Sequence, residues 1–333
     1  MDDNKDKVNP AVRTGALSQV LRQGATDEGA KKIIDELRAM PDAVLDMSAR
    51  AAGVPEEQFE LHRAMVRQEP NAFMQELGAV DGLLRPGDLI LMTNPASIAL
   101  VDLQKKLYDH ARSSHVALIH TDFLCVDAMP KVGVSNRTIA ALLKNARDDW
   151  RVIRCSKVRD TDAMMLACAY YLAQPYKVLP AKRSAKSFAY CSELVRKVYV
   201  HCGLTSVGIP NDYVIAPAHF DKLADGAAGK PDWEDITEQV RPAIDLCLKY
   251  PALIDITTKL TVEGLKLNRQ RFHERTHWLE TIKRQERSGQ ISKAKADELR
   301  GVIYDMESKM NHKFWDVRRP ATTSSAPAGE PEA

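Results

Sequence analysis

Four short strand-like segments lie close together in the middle of this chain, and the sequences on both sides of them have helical composition. The four segments are rich in β-branched or large apolar residues, as strands are: RPGDLILMT (85–93), HVALIHT (115–121), FLCVDAM (123–129) and WRVIRCS (150–156). Helical sequences lie between and after them, without the regular alternation of strand and helix that builds a parallel sheet. We therefore expect an α+β fold with an antiparallel sheet.

Composition divides the chain into four regions. Residues 1–80 are rich in Ala, Leu, Met, Glu and Arg, and glycines and prolines divide them into short predicted helices. Residues 81–225 contain the strands and form the expected α+β domain. Residues 226–320 predict a helical region with a hairpin that turns at Ser288-Gly289-Gln290. Residues 321–333 have no large apolar side chain to bury, so we expect them to be disordered.

The first helix of the predicted hairpin carries an apolar stripe that we expect to be buried on the core. At 100° per residue, its members fall within about 40° of one line; they are Leu253, Ile256, Leu260, Leu267, Trp278 and Ile282. Residues 259–319 contain 15 Lys and Arg against 9 Asp and Glu, a net charge of +6. This charge predicts a solvated helix face, with an acidic membrane surface as the alternative partner. Nucleic acid is not expected, because no aromatic residues interleave with the charges.

The sequence also bears on the compartment of the protein. It has no stretch of about 18 apolar residues that could span a membrane, and its N-terminus lacks the apolar core of a Sec-type signal peptide. We therefore expect a cytoplasmic protein, or one that is exported without such a signal. Six cysteines without any C-x-x-C pair predict reduced thiols and no disulfide framework.

Cys191 is the cysteine whose position suggests chemistry. Apolar residues follow it at helical spacing, namely Leu194, Val195, Val198 and Cys202, so Cys191 begins a predicted helix on its inward face. The unpaired N–H groups and the partial positive charge of a helix N-terminus favour a thiolate. The same N–H groups can stabilise the oxyanion that forms when a thiolate attacks a carbonyl.

A histidine and an aspartate complete a candidate triad. His115 begins a strand, and a second strand follows after the predicted three-residue loop at 120–122. In an antiparallel hairpin with that loop, Asp127 lies opposite His115 on the same face. A carboxylate beside an imidazole fixes its tautomer and stabilises the imidazolium. With Cys191, these residues have the composition of a Cys–His–Asp triad.

Several segments of the sequence resemble a known family, the permuted NlpC/P60 papain-like enzymes of the YiiX/YaeF type. The motifs that carry the resemblance are GDLIL (87–91), SHVALI (114–119), VDAMPKVGV (126–134), QPYKVLP (174–180), YCSELVRKVY (190–199) and IAPAHF (215–220). In that family the strand with the histidine precedes the helix with the nucleophile. The resemblance implies a circularly permuted papain-like core over residues 85–220, with helical extensions at both ends.

The resemblance also implies roles for individual residues. Cys191 would be the nucleophile, His115 its base and Asp127 the residue that orients the base, at a position where the family more often has Glu or His. Tyr176 matches a tyrosine that lies near the active site in relatives. No metal and no organic cofactor is needed for this chemistry.

Two classes of substrate fit such an enzyme. Relatives cut amide bonds in cell-wall peptides, so amide hydrolysis through an acyl-thioester is the first expectation. Permuted members that resemble lecithin–retinol acyltransferase act on lipid esters. The alternative is therefore a phospholipase, another lipid ester hydrolase or an acyltransferase, and this alternative includes an exported antibacterial toxin.

Two further hypotheses come from other classes. The segment His273-Glu274-Arg275-Thr276-His277 fits H-E-x-x-H, the signature of helical zinc proteases. Arg275 lies within one turn of the proposed ion, no third ligand stands out, and both histidines are expected to face away from the core, so a solvated helix face is favoured. The other hypothesis is an inactive scaffold whose helices bind a partner.

Overall fold

A six-stranded antiparallel sheet occupies the middle of the chain and confirms the α+β prediction. Its order is β4-β3-β2-β1-β5-β6. The strands are β1 Leu89–Met92, β2 His115–Thr121, β3 Leu124–Met129, β4 Gly133–Thr138, β5 Arg151–Cys155 and β6 Trp233–Asp235. The structure, a computed structural model, describes residues 27–178, 189–211 and 214–309. The predictions for residues 1–26 and for the tail 321–333 lie outside these residues.

Helices surround the sheet in the order that the composition indicates. Before the sheet lie α1 Asp27–Arg38, α2 Asp42–Ala51, α3 Phe59–Arg67 and α4 Ala72–Ala79. Between and after the central strands lie α5 Ile98–Gln104, α6 Ile139–Leu143, α7 Thr161–Tyr171, α8 Cys191–His201 and α9 Pro217–Ala224. After β6 come α10 Thr237–Lys249, α11 Pro251–Arg287 and α12 Lys293–Lys309. In the described part of the chain, no helix combines the length and apolar character needed to span a membrane.

Each face of the sheet has its own hydrophobic core. The first core contains Ile90 and Ala117 and is covered by α2, α3, α4, α6, α10 and the start of α11. The second core contains Leu89 and Val116 and is covered by α7, α8 and α9. Because helices cover both faces, every residue of β1 is buried and its sequence is continuously apolar instead of alternating.

The chain turns between α11 and α12 where the sequence predicts, but the predicted buried stripe of α11 is only partly correct. Leu253 and Ile282 are buried, whereas Trp278 is 58% exposed. The side chains of Leu260 and Leu267 are outside the described part. The reason is that α11 is 37 residues long: Leu253 packs on the first core, while the far end of the helix packs against α12.

Candidate catalytic site

Cys191 is the first residue of α8, as the sequence predicts. Tyr190 precedes it in an extended conformation and provides no side-chain cap to the helix. The N–H groups of the first turn are therefore not satisfied by a capping side chain and lie next to the sulfur. Cys191 is 8% exposed, and all residues from Cys191 to Tyr199 are buried. The sulfur thus combines a helix N-terminus with low solvent access.

His115 begins β2 and contacts the sulfur of Cys191. The His115 side chain and the Val116 backbone lie close enough to the sulfur to lower the pKa of Cys191, and the sulfur in turn raises the pKa of His115. The pairs of β2 with β3 start only at Leu118↔Val126. The first residues of β2 therefore lie beyond this ladder, where the start of α8 approaches the strand.

Asp127 on β3 holds the other side of the imidazole. Its Oδ2 lies 2.9 Å from His115 Nε2, and its side chain is fully buried. Since Nε2 is hydrogen-bonded to this carboxylate, Nδ1 is the ring nitrogen that faces the sulfur. The structure brings together the three residues that the sequence singled out.

The predicted register of this hairpin is wrong, although the contact forms. The loop contains two residues, Asp122 and Phe123, because Thr121 pairs with Leu124 and the register shifts between Ile119 and Thr121. The pair Leu118↔Val126 places Asp127 opposite position 117 instead of His115. A shift of two residues keeps every side chain on its face. Asp127 is therefore a diagonal neighbour of His115, still within reach of a long side chain.

The charges of the three residues support one another. Burial disfavours the imidazolium, but the Cys191 sulfur and Asp127 outweigh this effect and raise the pKa of His115 to about 10. Burial also disfavours the thiolate, yet the charge and the hydrogen bond of His115 lower the pKa of Cys191 below its ordinary value. Hydrogen bonds and charges of His115 and Arg137 likewise outweigh burial and lower the pKa of Asp127. The group can therefore hold a thiolate–imidazolium pair beside a carboxylate.

Arg137 on β4 is a member of the site that the sequence analysis missed. Its Nε lies 3.3 Å from Asp127 Oδ1, and its Nη2 donates to Oδ2. The pairs Asp127↔Ser135 and Cys125↔Arg137 place Arg137 diagonally across from the carboxylate on the same face. Side chains alternate between the two faces of the sheet along 133–138. With the register of β3 and β4 known, this alternation would place Arg137 on the face of Asp127.

Tyr176 lies near the start of α8. It forms a parallel bridge with Ala189, two residues before Cys191, and Lys177 N–H donates to the Ala189 carbonyl at 3.2 Å. Burial, and then the charge of the Cys191 sulfur, raise the pKa of Tyr176. Tyr176 and Cys191 therefore belong to the same region of the fold.

Asp221 on α9 fixes the segment that leads into His115, a contact that no motif predicted. Its Oδ2 accepts hydrogen bonds from the backbone N–H groups of Arg112 and Ser113, each at 2.8 Å, and its Oδ1 accepts from Ser113 Oγ at 2.7 Å. On α5, Gln104 donates to the Ser113 carbonyl at 3.2 Å. The start of β2 is thus held on two sides.

The H-E-x-x-H residues do not form a metal centre. His273 is half-buried, and its Nε2 lies 3.3 Å from the Leu172 carbonyl, so the expectation that it faces solvent is wrong. The reason is that the face of α11 with Arg269 and His273 packs towards α7. Glu274 and His277 are exposed. In the described residues, no group of three or more His, Cys, Asp or Glu could hold a metal ion.

The arrangement can perform nucleophilic attack on a carbonyl, because a thiolate, a proton donor and an oriented carboxylate meet at a helix N-terminus. No protein-family model, no curated protein and no solved structure matches this chain.

Proposed function

We propose that this protein is a cysteine hydrolase of the permuted NlpC/P60 papain-like type that cleaves an amide bond of the kind found in cell-wall peptides. The observation that carries the proposal is the contact of Cys191, His115 and Asp127, with a lowered pKa of the thiol and a raised pKa of the imidazole. The order of the elements fits a permuted core, because the histidine strand precedes the nucleophile helix.

The reaction would use these residues in sequence. Cys191 Sγ attacks the carbonyl carbon, and the electron pair of the C=O bond moves to the oxygen, which the first N–H groups of α8 stabilise. His115 Nδ1 gives its proton to the departing amine as the C–N bond breaks, and an acyl-thioester remains. Water then attacks the thioester while His115 accepts a proton from it, and the acid leaves as the thiolate is restored.

The first prediction tests the nucleophile by selective alkylation. Cys202 is more exposed than Cys191, yet burial raises the pKa of Cys202 to about 11. Iodoacetamide at about pH 6.5 should therefore modify Cys191 before Cys202, although Cys202 is more exposed. The reason is that the fraction of thiolate, and not solvent exposure, controls the rate of alkylation. Peptide mass spectrometry measures the order of labelling. Faster labelling of Cys202 would contradict the assignment.

The matching activity measurement uses purified protein with peptidoglycan fragments. Cys191→Ala should abolish product formation without unfolding the protein, whereas Cys202→Ala should retain activity. Products are identified by mass spectrometry as new amino and carboxyl termini. Equal activity of wild type and Cys191→Ala would show that the thiol has no catalytic role, and a complete lack of turnover of every carbonyl substrate would favour the inactive scaffold.

A second candidate is a lipid ester hydrolase or acyltransferase. The exposed apolar side chains of helix α5 support it. Ile98, Leu100 and Leu103 on this helix are exposed, and Leu103 is exposed by 58%. Gln104 joins the same helix to Ser113, two residues before His115. An apolar surface at this place would bring the site to a lipid interface.

Phospholipid vesicles distinguish the two candidates. If lipid is the substrate, wild type should release fatty acid, and Leu103→Asp should reduce the release while the alkylation of Cys191 stays fast. If an amide is the substrate, only the peptidoglycan fragments should be cleaved.

A further inference from the structure

One short segment of the chain is hydrogen-bonded next to both reacting residues of the candidate site. It runs from Ile215, two residues before α9, to Asp221, the fifth residue of that helix, and we call it the 215–221 segment. Ile215, Ala218 and Asp221 are all buried. The helix α9 packs against α5, β1, β2 and β6. The segment is therefore fixed on the fold by its own packing.

At its first residue, the 215–221 segment is bonded to the start of the nucleophile helix. The Ile215 backbone N–H donates a hydrogen bond to Tyr190 Oη at 3.0 Å. Tyr190 is buried and immediately precedes Cys191, the first residue of α8. A buried N–H that loses its acceptor is costly, so this bond keeps the beginning of α8 against the segment.

At its last residue, the segment is bonded to the start of the histidine strand. Asp221 accepts the backbone N–H groups of Arg112 and Ser113 and the Ser113 hydroxyl. Gln104 adds a second connection, because it accepts the Ala218 N–H at 2.8 Å and donates to the Ser113 carbonyl. Ser113 lies two residues before the imidazole, so these bonds determine where β2 begins.

The partners of Asp221 make this attachment directional. Its side chain is fully buried, and among the described residues no cationic side chain lies within ion-pair distance of it. The guanidinium of Arg112 pairs with Asp225 instead. A buried carboxylate is costly unless it is hydrogen-bonded. Because its donors are two backbone N–H groups and one hydroxyl, the carboxylate and the backbone at 112–113 fix each other's orientation.

We propose that the 215–221 segment positions the catalytic groups: it holds α8 through Tyr190 and β2 through Asp221, and so keeps the Cys191 sulfur and the His115 ring in contact. Asp221 is a positioning residue that acts through the backbone before the histidine. The inference rests on the proposed reaction of the thiol with the imidazole, and it names the part of the fold that holds the two together. A displacement of about 1 Å in such a site can reduce its reactivity by about a hundredfold.

The test measures the alkylation of Cys191 in the full chain with iodoacetamide as a function of pH, by peptide mass spectrometry. Asp221→Ala removes three hydrogen bonds. We expect its alkylation at about pH 6.5 to slow by at least about tenfold and the midpoint of its pH profile to move upward, because the imidazolium no longer stays beside the thiolate. Asp221→Asn should stay close to the wild-type rate, because the amide oxygen can accept both N–H groups and the amide nitrogen can donate to Ser113 Oγ. Equal losses in both variants would overturn the positioning role, since the charge of Asp221 would then be what matters.

Asp225→Ala is the matched control at the other end of α9. Asp225 also has three partners, Tyr108 Oη, Arg112 Nη2 and Arg151 Nη1, but it does not bind the backbone that leads into β2. This variant should lower the midpoint of urea unfolding and leave the pH profile of alkylation unchanged. Equal shifts of the profile in Asp225→Ala and Asp221→Ala would indicate a general loosening of α9 and would contradict the proposal.

Tyr190→Phe tests the other end of the segment and is the milder change, since it removes only the oxygen that accepts the Ile215 N–H. It should slow the alkylation of Cys191 less than Asp221→Ala does, because one hydrogen bond is lost instead of three. Circular dichroism verifies that each variant is folded, and if Asp221→Ala does not fold, an unchanged rate in folded Tyr190→Phe overturns the proposal.

The same measurement separates this inference from the proposed function. Slow alkylation of Cys191 in wild type would refute the thiolate–imidazolium pair, and the hydrolase and the positioning role would fall together. Fast alkylation in wild type that persists in folded Asp221→Ala and Tyr190→Phe would overturn the positioning role alone.

Discussion

The thiol and the imidazole of the candidate site change each other's acidity, so they must be considered together. The ordinary pKa of a cysteine is higher than that of a histidine, and two isolated groups would both be neutral near pH 7. Here the pKa of Cys191 is lowered and the pKa of His115 is raised to about 10. The ionised pair is therefore the expected resting form over the range between the two values.

A prediction for His115 follows from this coupling. In wild type, the rate of Cys191 alkylation should rise with pH at a midpoint below the ordinary thiol pKa of 9.0. In His115→Ala the cation is lost while the burial remains, so the midpoint should move upward. The loss of activity should approach that of Cys191→Ala, because members of such a unit fail together. Asp127→Asn should have a smaller effect on activity, since an amide can still orient the ring. An unchanged midpoint in His115→Ala would refute the ion pair.

The pH above which activity falls provides a second measurement. As the pH rises through about 10, His115 loses the proton that the departing amine needs. We therefore expect kcat/KM to fall in this range for an amide substrate. A fall near pH 6.5, the ordinary value for histidine, would show that Cys191 and Asp127 do not support the imidazolium.

The contact between Arg137 and Asp127 predicts how the stability of the fold depends on pH. The sign of this dependence follows from the pKa of Asp127. The folded pKa of Asp127 lies below its ordinary value of 3.8, so its ionised contacts contribute stability above pH 3.8, and this contribution is lost as the pH falls through the lower folded pKa. Arg137→Gln leaves a buried carboxylate with one partner fewer and should cost about 3 kcal/mol at pH 7. Urea unfolding at several pH values measures this cost. The difference between wild type and variant should shrink when the pH is lowered towards 3.

At the scale of the elements, strand β4 lies against the segment that carries Tyr176, and Gly133 lies at this contact. Val134 N–H donates to the Gln174 carbonyl at 2.8 Å, and Ala173 N–H donates to the Val134 carbonyl at 2.9 Å. Gly133 has φ +82°, and a Cβ atom there would lie 2.4 Å from the Gln174 carbonyl oxygen. No side chain can be added at this position without moving the backbone.

Gly203 is the matched control for this position, since it has φ +76° but nothing within 4 Å of its added Cβ. Gly203→Ala should cost only the left-handed conformation, about 1–2 kcal/mol. Gly133→Ala should cost about 1–3 kcal/mol more because of the contact with Gln174. Urea unfolding compares the two variants. Equal costs would show that the 173–176 segment yields easily to the added methyl group.

The elements also show what the sequence could and could not reveal. The central strands and the start of α8 are visible as local apolar patterns, because each pattern depends on neighbours in the chain. The two-residue loop at Asp122-Phe123 is not, because the register shift depends on the whole pairing of β2 with β3. β6 is three residues long and has one buried residue, Trp233, so it offers no periodicity to detect. The exposed Trp278 shows that periodicity finds an apolar stripe but does not determine what covers it.

At the scale of the whole molecule, the candidate site depends on both cores. Met92 pairs with His115 in the sheet and belongs to the first core, on the side of helices α2, α3 and α4. Cys191 belongs to the second core, with α7 and α9. The thiol and the imidazole meet where β2 begins, beyond the ladder that joins β2 to β3. Cys191 is therefore held by the second layer, whereas His115 is held from both layers, through Met92 on one side and through Ser113 and Asp221 of α9 on the other.

This division makes the reactivity of Cys191 a sensor of the assembled protein. If either layer loosens, the sulfur and the ring separate, and the thiol returns to the slow chemistry of an ordinary buried cysteine. In a urea titration, fast alkylation should therefore disappear at or before the loss of helical circular dichroism, even when the loosened part is the distant layer of α2, α3 and α4. A catalyst built in this way is switched off by partial unfolding, so a frayed molecule does not expose a reactive thiolate.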